Sequence, residues 1–411
     1  MHRASYWKTT AVALAGAALS LSVFVYLRSA TIPIGAVVTG YLLTAVVLAA
    51  ALLVAGGGLV CLLRDARETS GKPDLVVSHA NWVPGDSLAS RLGFRFLLGT
   101  RLRPGDFVQV KTKAEIAPTL DASGALEGLP FMPEMDTYCG KIFRVHRRID
   151  KINDMRHKTG TRRMHDAVTL TGVRCSGSEH DDCDAECQIL WKDSWLKRVP
   201  AGQATAPHRD LADPPRARVE SRPQRGAQEY SCQMTELWEA SHPMSPFDFR
   251  QDVRPLLCGN IGVGGWAIST LTRIFNHVQG LRGGVPYPFI PKSRVTGATP
   301  TADLNLRANE VVVVRSKEEI AQTLLNGKNR GLWFDREMVR YCGQPAVVRK
   351  RVSRVIHEAS KKMVELKTPC VVLENVTATG EFLRLCPQHD YIFWREIWLE
   401  RPEGTLRKNP D

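Results

Sequence analysis

Apolar and polar residues are arranged in three ways along this chain. Thr9 to Leu27 and Thr31 to Leu63 carry no charge and are rich in Ala, Leu and Val. A helix needs about 20 apolar residues to cross a bilayer core, so each stretch predicts a membrane span. The connection Arg28–Pro33 is so short that the two spans form a hairpin with both ends on one side. From residue 101 the pattern shortens to runs of alternating or β-branched residues, which predict strands at Phe107–Lys111, Ile142–Ile152, Ala167–Val173 and Gln188–Leu196. Matching runs recur at Val311–Arg315, Val347–Ile356, Cys370–Val376 and Tyr391–Leu399. Between the two sets, Trp266, Ile268, Leu271, Ile274, Phe275 and Val278 recur at helical spacing, and Gly280, Gly283, Gly284, Pro286, Pro288 and Pro291 end that helix.

The two strand sets are copies of one module. Leu102-Arg103, Val108 and Val110 of the first return as Leu306-Arg307, Val312 and Val314. Thr112-x-x-Glu115 returns as Ser316-x-x-Glu319, and each is a capping box that opens a short helix; Pro118 limits the first to a turn or two. Both continue with Gly-Leu-x-Phe-x-x-Glu-Met-x-x-Tyr-Cys-Gly, ending at Gly140 and Gly343, and close on a tryptophan pair, Trp191/Trp195 and Trp394/Trp398. The expected fold is a membrane-anchored α+β chain. It has a transmembrane helical hairpin (1–64), a connector (65–100) and a first β-rich module (101–199). A flexible basic linker (200–229, with Pro214-Pro215-Arg216-Ala217-Arg218), a helical segment (230–300) and a second β-rich module (301–411) follow. One short helix and about four short strands per module suggest a small, partly open, SH3-like barrel.

The duplicated part resembles a bacterial protein family with no assigned activity. The resemblance is carried by Glu337 to Gly343 (Glu-Met-x-x-Tyr-Cys-Gly), Cys386-Pro387 and Trp394 to Leu399 (Trp-Arg-Glu-Ile-Trp-Leu), and covers roughly 100–402. It implies the module and no chemistry.

Charge adds an orientation. Arg3 and Lys8 precede the first span, and Arg64, Arg67 and Lys72 follow the second, against Arg28 alone in the turn. The positive-inside rule puts both ends in the cytoplasm, so the expected address is a bacterial inner membrane with a cytoplasmic body. A cleaved signal peptide is the rival for the first stretch. The whole chain of 411 residues carries a net charge of +13, which suits acidic partners. Lys141 to Arg163 concentrates nine basic residues against two acids. A basic face built from Arg144, Arg147, Arg148, Lys151, Arg162 and Arg163 would engage a protein partner, an acidic ligand, lipid headgroups or nucleic acid. Few aromatics interleave these positions, which weakens a single-strand stacking platform.

Candidate chemistry lies in the ten cysteines. Cys183-x-x-x-Cys187 has metal-ligand spacing, Cys175 precedes it across Glu179-His180-Asp181-Asp182, and Cys139 would have to return through the fold. A zinc site or an iron–sulfur cluster on Cys139, Cys175, Cys183 and Cys187 is one reading, with His180 as a substitute ligand and Cys232 as a recruit. Buried free thiols are the other. Counting from the tryptophans, the second copy keeps Cys342 and Cys386 but has Ala378 for Cys175 and Asp390 for Cys187. Cys342, Cys386, His389 and Asp390 would make a weaker second site. Glu134 and Glu337 are the acids kept inside the shared element; each is expected to pair with basic residues, Arg147/Arg148 and Lys350/Arg351. No nucleophile–histidine pair and no phosphate loop with its lysine is duplicated. The leading expectation is a non-enzymatic binding or scaffold protein. A metal- or thiol-dependent enzyme or metal-delivery subunit comes second, and a nucleic-acid binder third.

Overall fold

A computed structural model describes residues 2–29, 34–70, 101–200, 229–293 and 295–402, with backbone alone for 24–29 and 34–43. The connector beyond 70, the basic linker 201–228, Lys72 and the turn at Arg28–Pro33 lie outside the described residues or side chains. The chain forms two compact units, Met1–Ser78 with Gly264–Pro291, and His79–Val263 with Lys292–Asp411.

The first unit contains α1 (His2–Ser29), α2 (Ile34–Thr69) and most of α3 (Val263–Leu281). α1 and α2 run antiparallel: His2 and Arg3 meet Asp65, while Thr10 lies against Gly58. The glycine run Gly56–Gly58 of α2 is where α3 packs. A Cβ on Gly57 would come within 2.4 Å of the Leu271 carbonyl oxygen, so only glycine lets the two backbones meet there. Phe275 fills the junction edge-on to Tyr6, and Thr9 Oγ1 donates to Gln279 Oε1 at 3.0 Å. The sequence placed this helix in the soluble body; it belongs with the N-terminal helices instead. One stretch among the described residues, Thr44–Thr69, is long and apolar enough to cross a membrane. The expected first span runs past Val23, where described side chains stop in α1.

The second unit holds both β modules. In the first, β1 (Phe107–Val110), β2 (Ile142–Asp154), β3 (Gly160–Arg174), β4 (Gln188–Lys192) and β5 (Leu196–Val199) form an antiparallel sheet in the order β4-β3-β2-β1-β5. The path does not close between β4 and β5, and bulges within the β2–β3 pairing bend the ladder, so the sheet curls into a half-barrel. The second module has β6 (Val311–Val314), β7 (Pro345–Arg351), β8 (Arg354–His357), β9 (Lys362–Glu365), β10 (Cys370–Thr377), β11 (Tyr391–Arg395) and β12 (Leu399–Glu400). Its order, β11-β10-β7-β6-β12, repeats the first. The strand expected over Val347–Ile356 is broken, because after Arg351 the chain leaves β10 and pairs β8 with β9 as a separate hairpin.

Local signals account for much of each module. Both capping boxes form: Thr112 N donates to Glu115 Oε2 at 2.9 Å and Ser316 N to Glu319 Oε2 at 3.0 Å. All four kept tryptophans are fully buried. Trp195 and Trp398 donate to Thr119 and Thr323 at 3.1 and 2.9 Å, which ties each module's closing turn to its capped helix.

The modules interlock by reciprocal contacts. The long β2–β3 arm of module one grips the 384–390 loop of module two, and the β8–β9 arm of module two grips the 181–187 loop of module one. Lys151 donates to the Arg384 carbonyl, and its counterpart Arg354 to the Asp181 carbonyl at 3.1 Å. Asn153 N reaches Gln388 beside Cys386, and its counterpart Ile356 N reaches Cys183 Sγ at 3.4 Å. Arg147 donates to His389 at 3.2 Å, while its counterpart Lys350 pairs with Glu186, the equivalent of His389, at 3.4 Å. Such i-to-j and j-to-i pairing is the signature of a two-fold interface, here made within one chain.

Candidate metal centre

The cysteine loop of module one starts where β3 ends and returns into β4, with Cys175 N donating to Cys187 O at 2.9 Å. Module two repeats the closure, Ala378 N donating to Asp390 O at 2.8 Å. Both loops turn on a glycine in the left-handed region, Gly177 (φ +76°) and Gly380 (φ +70°). A Cβ there would meet the Cys183 or Cys386 carbonyl oxygen at 2.0 or 2.1 Å. The turn folds His180 inward, where it is buried.

The 3₁₀ turn Pro133–Tyr138 brings Glu134 to the same place. Cys175 Sγ donates to Glu134 Oε1 at 3.3 Å, and His180 Nδ1 lies 3.9 Å from that oxygen. One ligand atom from each of Glu134, Cys175 and His180 falls within 4.8 Å of the others, the one such group of three or more among the described residues. The Glu134 and His180 side chains are 8% and 7% exposed, and Glu134 Oε2 and His180 Nδ1 have no hydrogen-bond partner. Buried polar atoms are normally paired, so these two invite a ligand. Burial, then the Glu134 charge, pushes the Cys175 thiol well above its ordinary range, so the thiol is neutral without a cation beside it. A divalent ion would reverse that balance. Carboxylate, thiolate and imidazole together are zinc-type donors.

The second copy shows what the first has added. Leu383 stands in the place of His180 and Ala378 in that of Cys175, while Glu337 is kept. Glu337 Oε2 accepts from Thr379 N at 2.7 Å, and its other oxygen, like that of Glu134, finds no partner. A buried acid is therefore the shared feature; the backbone tie belongs to module two, and thiol and imidazole are particular to module one. Neither acid pairs with its expected bases. Arg148 holds Asp193 and Asp166, and Arg147 donates to the Asn260 carbonyl and to His389.

A cavity of about 220 Å³ opens beside the group. Cys175, Cys183, Cys187 and Cys232 line it, with Glu358 entering from the β8–β9 arm of module two. Burial pushes the Glu358 carboxyl up to about 7, helped by Asp390 and Asp154. The cysteines expected as one set are thus divided. Cys175 joins the compact group; Cys183 and Cys187 face the cavity outside ligand distance; Cys139 follows its 3₁₀ turn with its thiol toward the Met135 carbonyl and does not line the cavity. Cys232 takes the fourth place, because the segment after the linker packs under β4 through Gln233, which bonds Leu190. Neither a four-cysteine zinc set nor an iron–sulfur set is assembled among the described residues.

The weaker set in module two is not assembled either. Cys342 faces the Met338 carbonyl, Cys386 is buried with its thiol on Gln388, His389 lies between His146 and Arg147, and Asp390 accepts from Gln188 N. Cys183 and Cys386, the thiols kept in both loops, sit at matching points of the interlock, which gives them a packing role.

The expected basic face is mostly interior. Arg147, Arg148, Lys151 and Arg162 are buried, and Arg144 and Arg163 are half-buried. Arg162 is spent on the 238–241 segment and stacks over Trp238 at 3.6 Å. What the sequence could not signal is the contribution of Val355, Ile356 and Glu358, which reach a module-one cavity from module two. Comparison with protein families, characterised proteins and solved structures found no match to the chain.

Proposed function

We propose that this protein is a membrane-anchored binding scaffold whose soluble body is a fused pair of SH3-like half-barrels, with one zinc ion held in module one by Glu134, Cys175 and His180. The apolar stretch Thr44–Thr69 and the basic residues flanking the hairpin support the anchor at a bacterial inner membrane with a cytoplasmic body. The interlock supports a scaffold: Arg147 and Lys350, and Lys151 and Arg354, are matched pairs of basic residues used to join the modules. The net charge of +13 suits a protein partner or an acidic ligand. Nucleic-acid binding is the weaker reading, since four of the six expected basic contacts are buried inside the body.

The observation that carries the zinc reading is the convergence of the buried Glu134 carboxylate, the Cys175 thiol and the His180 imidazole, with Glu134 Oε2 and His180 Nδ1 left without a hydrogen bond. When bound, zinc would draw off the thiol proton and pin the cysteine loop to the 3₁₀ turn. Cys183, Cys187 and Cys232 offer a further thiol nearby. A metal-dependent enzyme is the second reading, favoured by a three-residue group beside a cavity, the arrangement of zinc sites that keep a coordination position open.

The test is elemental analysis of the full chain, purified in detergent without oxygen and without a histidine tag. About one zinc per chain is expected. Cys175→Ala and His180→Leu install the residues of copy two, which its own loop accommodates, so both variants should fold and lose the metal. A metal-free wild type, or variants that keep full zinc, would refute the site.

A further inference from the structure

The first unit buries polar side chains alongside Tyr6, Ala17, Ala55, Cys61, Leu62 and Phe275, and exposes many apolar ones. Four residues of α3 are fully buried, Ser269, Thr272, Phe275 and Gln279, and three of them are polar. α1 likewise buries Thr9, Thr10 and Ser20 and exposes Val12, Leu14, Leu19 and Leu21. α2 buries Arg64 and Asp65 and exposes Val46, Leu52, Leu53 and Leu59. A helix packed in water shows the opposite pattern, with its apolar stripe toward the core. The inversion is stable only where the surroundings are themselves apolar and polar groups must find partners inside the bundle.

The contacts also fix a depth. α3 meets α1 and α2 through residues 5–10 and 56–64, the end of the hairpin that carries its basic flank. There Arg64 donates to Thr272 at 3.2 Å and lies over the Tyr287 ring. Tyr287 bonds Glu68, and Asn276 holds Tyr287 through both its backbone polar groups at 2.7 Å. Trp7, Lys8, Arg67, His277 and Arg282 are exposed around this level, a mixture of aromatic and basic side chains suited to the headgroup boundary.

We infer that α3 is a third membrane-associated helix, seated at the bilayer boundary among anionic phospholipid headgroups with Leu281 turned to lipid. This rests on the membrane-anchor reading above. It follows from connectivity that the stretch between Thr69 and Gly264, module one included, is tied to the membrane at both of its ends.

The test places the photo-crosslinker p-benzoylphenylalanine at Leu281, at Leu19 in α1 and at the exposed Trp333 of module two, each in the full chain reconstituted in vesicles of phosphatidylethanolamine and phosphatidylglycerol. Lipid adducts are read by mass spectrometry. The expected result is adducts at Leu19 and Leu281, several-fold above Trp333. Adducts at Leu19 but only the Trp333 level at Leu281 would overturn the inference and leave the anchor standing. No adduct at Leu19 would remove the anchor and the inference with it.

Discussion

The two tryptophans that close each module look interchangeable in sequence and are not equivalent in the structure. All four are fully buried, but Trp195 and Trp398 donate to threonine hydroxyls at 3.1 and 2.9 Å, whereas Nε1 of Trp191 and of Trp394 has no hydrogen-bond partner. Replacing each with phenylalanine removes a similar area of ring, so that term largely cancels between them. The polar term does not cancel. Trp195→Phe loses a hydrogen bond worth about 1 kcal/mol net, while Trp191→Phe removes a buried unpaired donor that costs about 1–3 kcal/mol. Trp195→Phe should therefore be the more destabilising by about 2–4 kcal/mol, and Trp398→Phe should exceed Trp394→Phe in the same sense. The assay is hydrogen–deuterium exchange of the intact chain in detergent, read on peptides of the module that carries the substitution, since a single unfolding midpoint is ill-defined for a two-module body. Equal effects within a pair, or the reverse order in either module, would refute the assignment of polar roles.

Gly177→Ala should cost upwards of 2 kcal/mol locally and abolish zinc binding, because the methyl has no room against the Cys183 carbonyl at a positive φ. Gly380→Ala should disturb module two as much and leave the zinc content unchanged; metal retained in Gly177→Ala would count against the loop geometry. The Glu358 carboxyl, raised to about 7 from its ordinary 4.5, gives a pH signature. The unfolded chain releases that proton first, so stability falls as pH rises from about 4.5 to about 7 and stays lowered above it. At 1.36 kcal/mol per tenfold change the loss has a ceiling of about 3 kcal/mol, less for a half-buried side chain. Against wild type at the same pH, Glu358→Gln should slow hydrogen–deuterium exchange of the β8–β9 peptides at pH 8 and leave it equal at pH 4; a gap that does not vary with pH would exclude the carboxyl as its source.

Much of each module was legible because the deciding interactions are local. A capping box joins residues three apart, a strand's alternation is set by its pleat, and Pro118 stops its helix by sterics at the preceding turn. The loop correspondence of Cys175 with Ala378 and Cys187 with Asp390 was likewise readable, since the loops 175–187 and 378–390 are of equal length and a count back from the buried tryptophans stays in step. The basic run was misjudged for a related reason. Alternation marks one face of Ile142–Asp154 as polar, but whether that face meets water or a second module is no property of the strand itself.

The sequence by itself determined a duplicated module, its caps and closing tryptophans, and an apolar N-terminal stretch. Tertiary structure alone decided which residues meet. Glu134, Cys175 and His180 converge because a 3₁₀ turn, a strand end and a glycine-hinged loop pack on one core, and the cavity beside them is finished by an arm from the other copy. It also decided the partition of α3, whose helical period was plain but whose buried side carries Ser269, Thr272 and Gln279 beside Phe275. Periodicity gives a helix two faces; which is inside depends on what surrounds the bundle, and that is set by non-local packing and by the solvent.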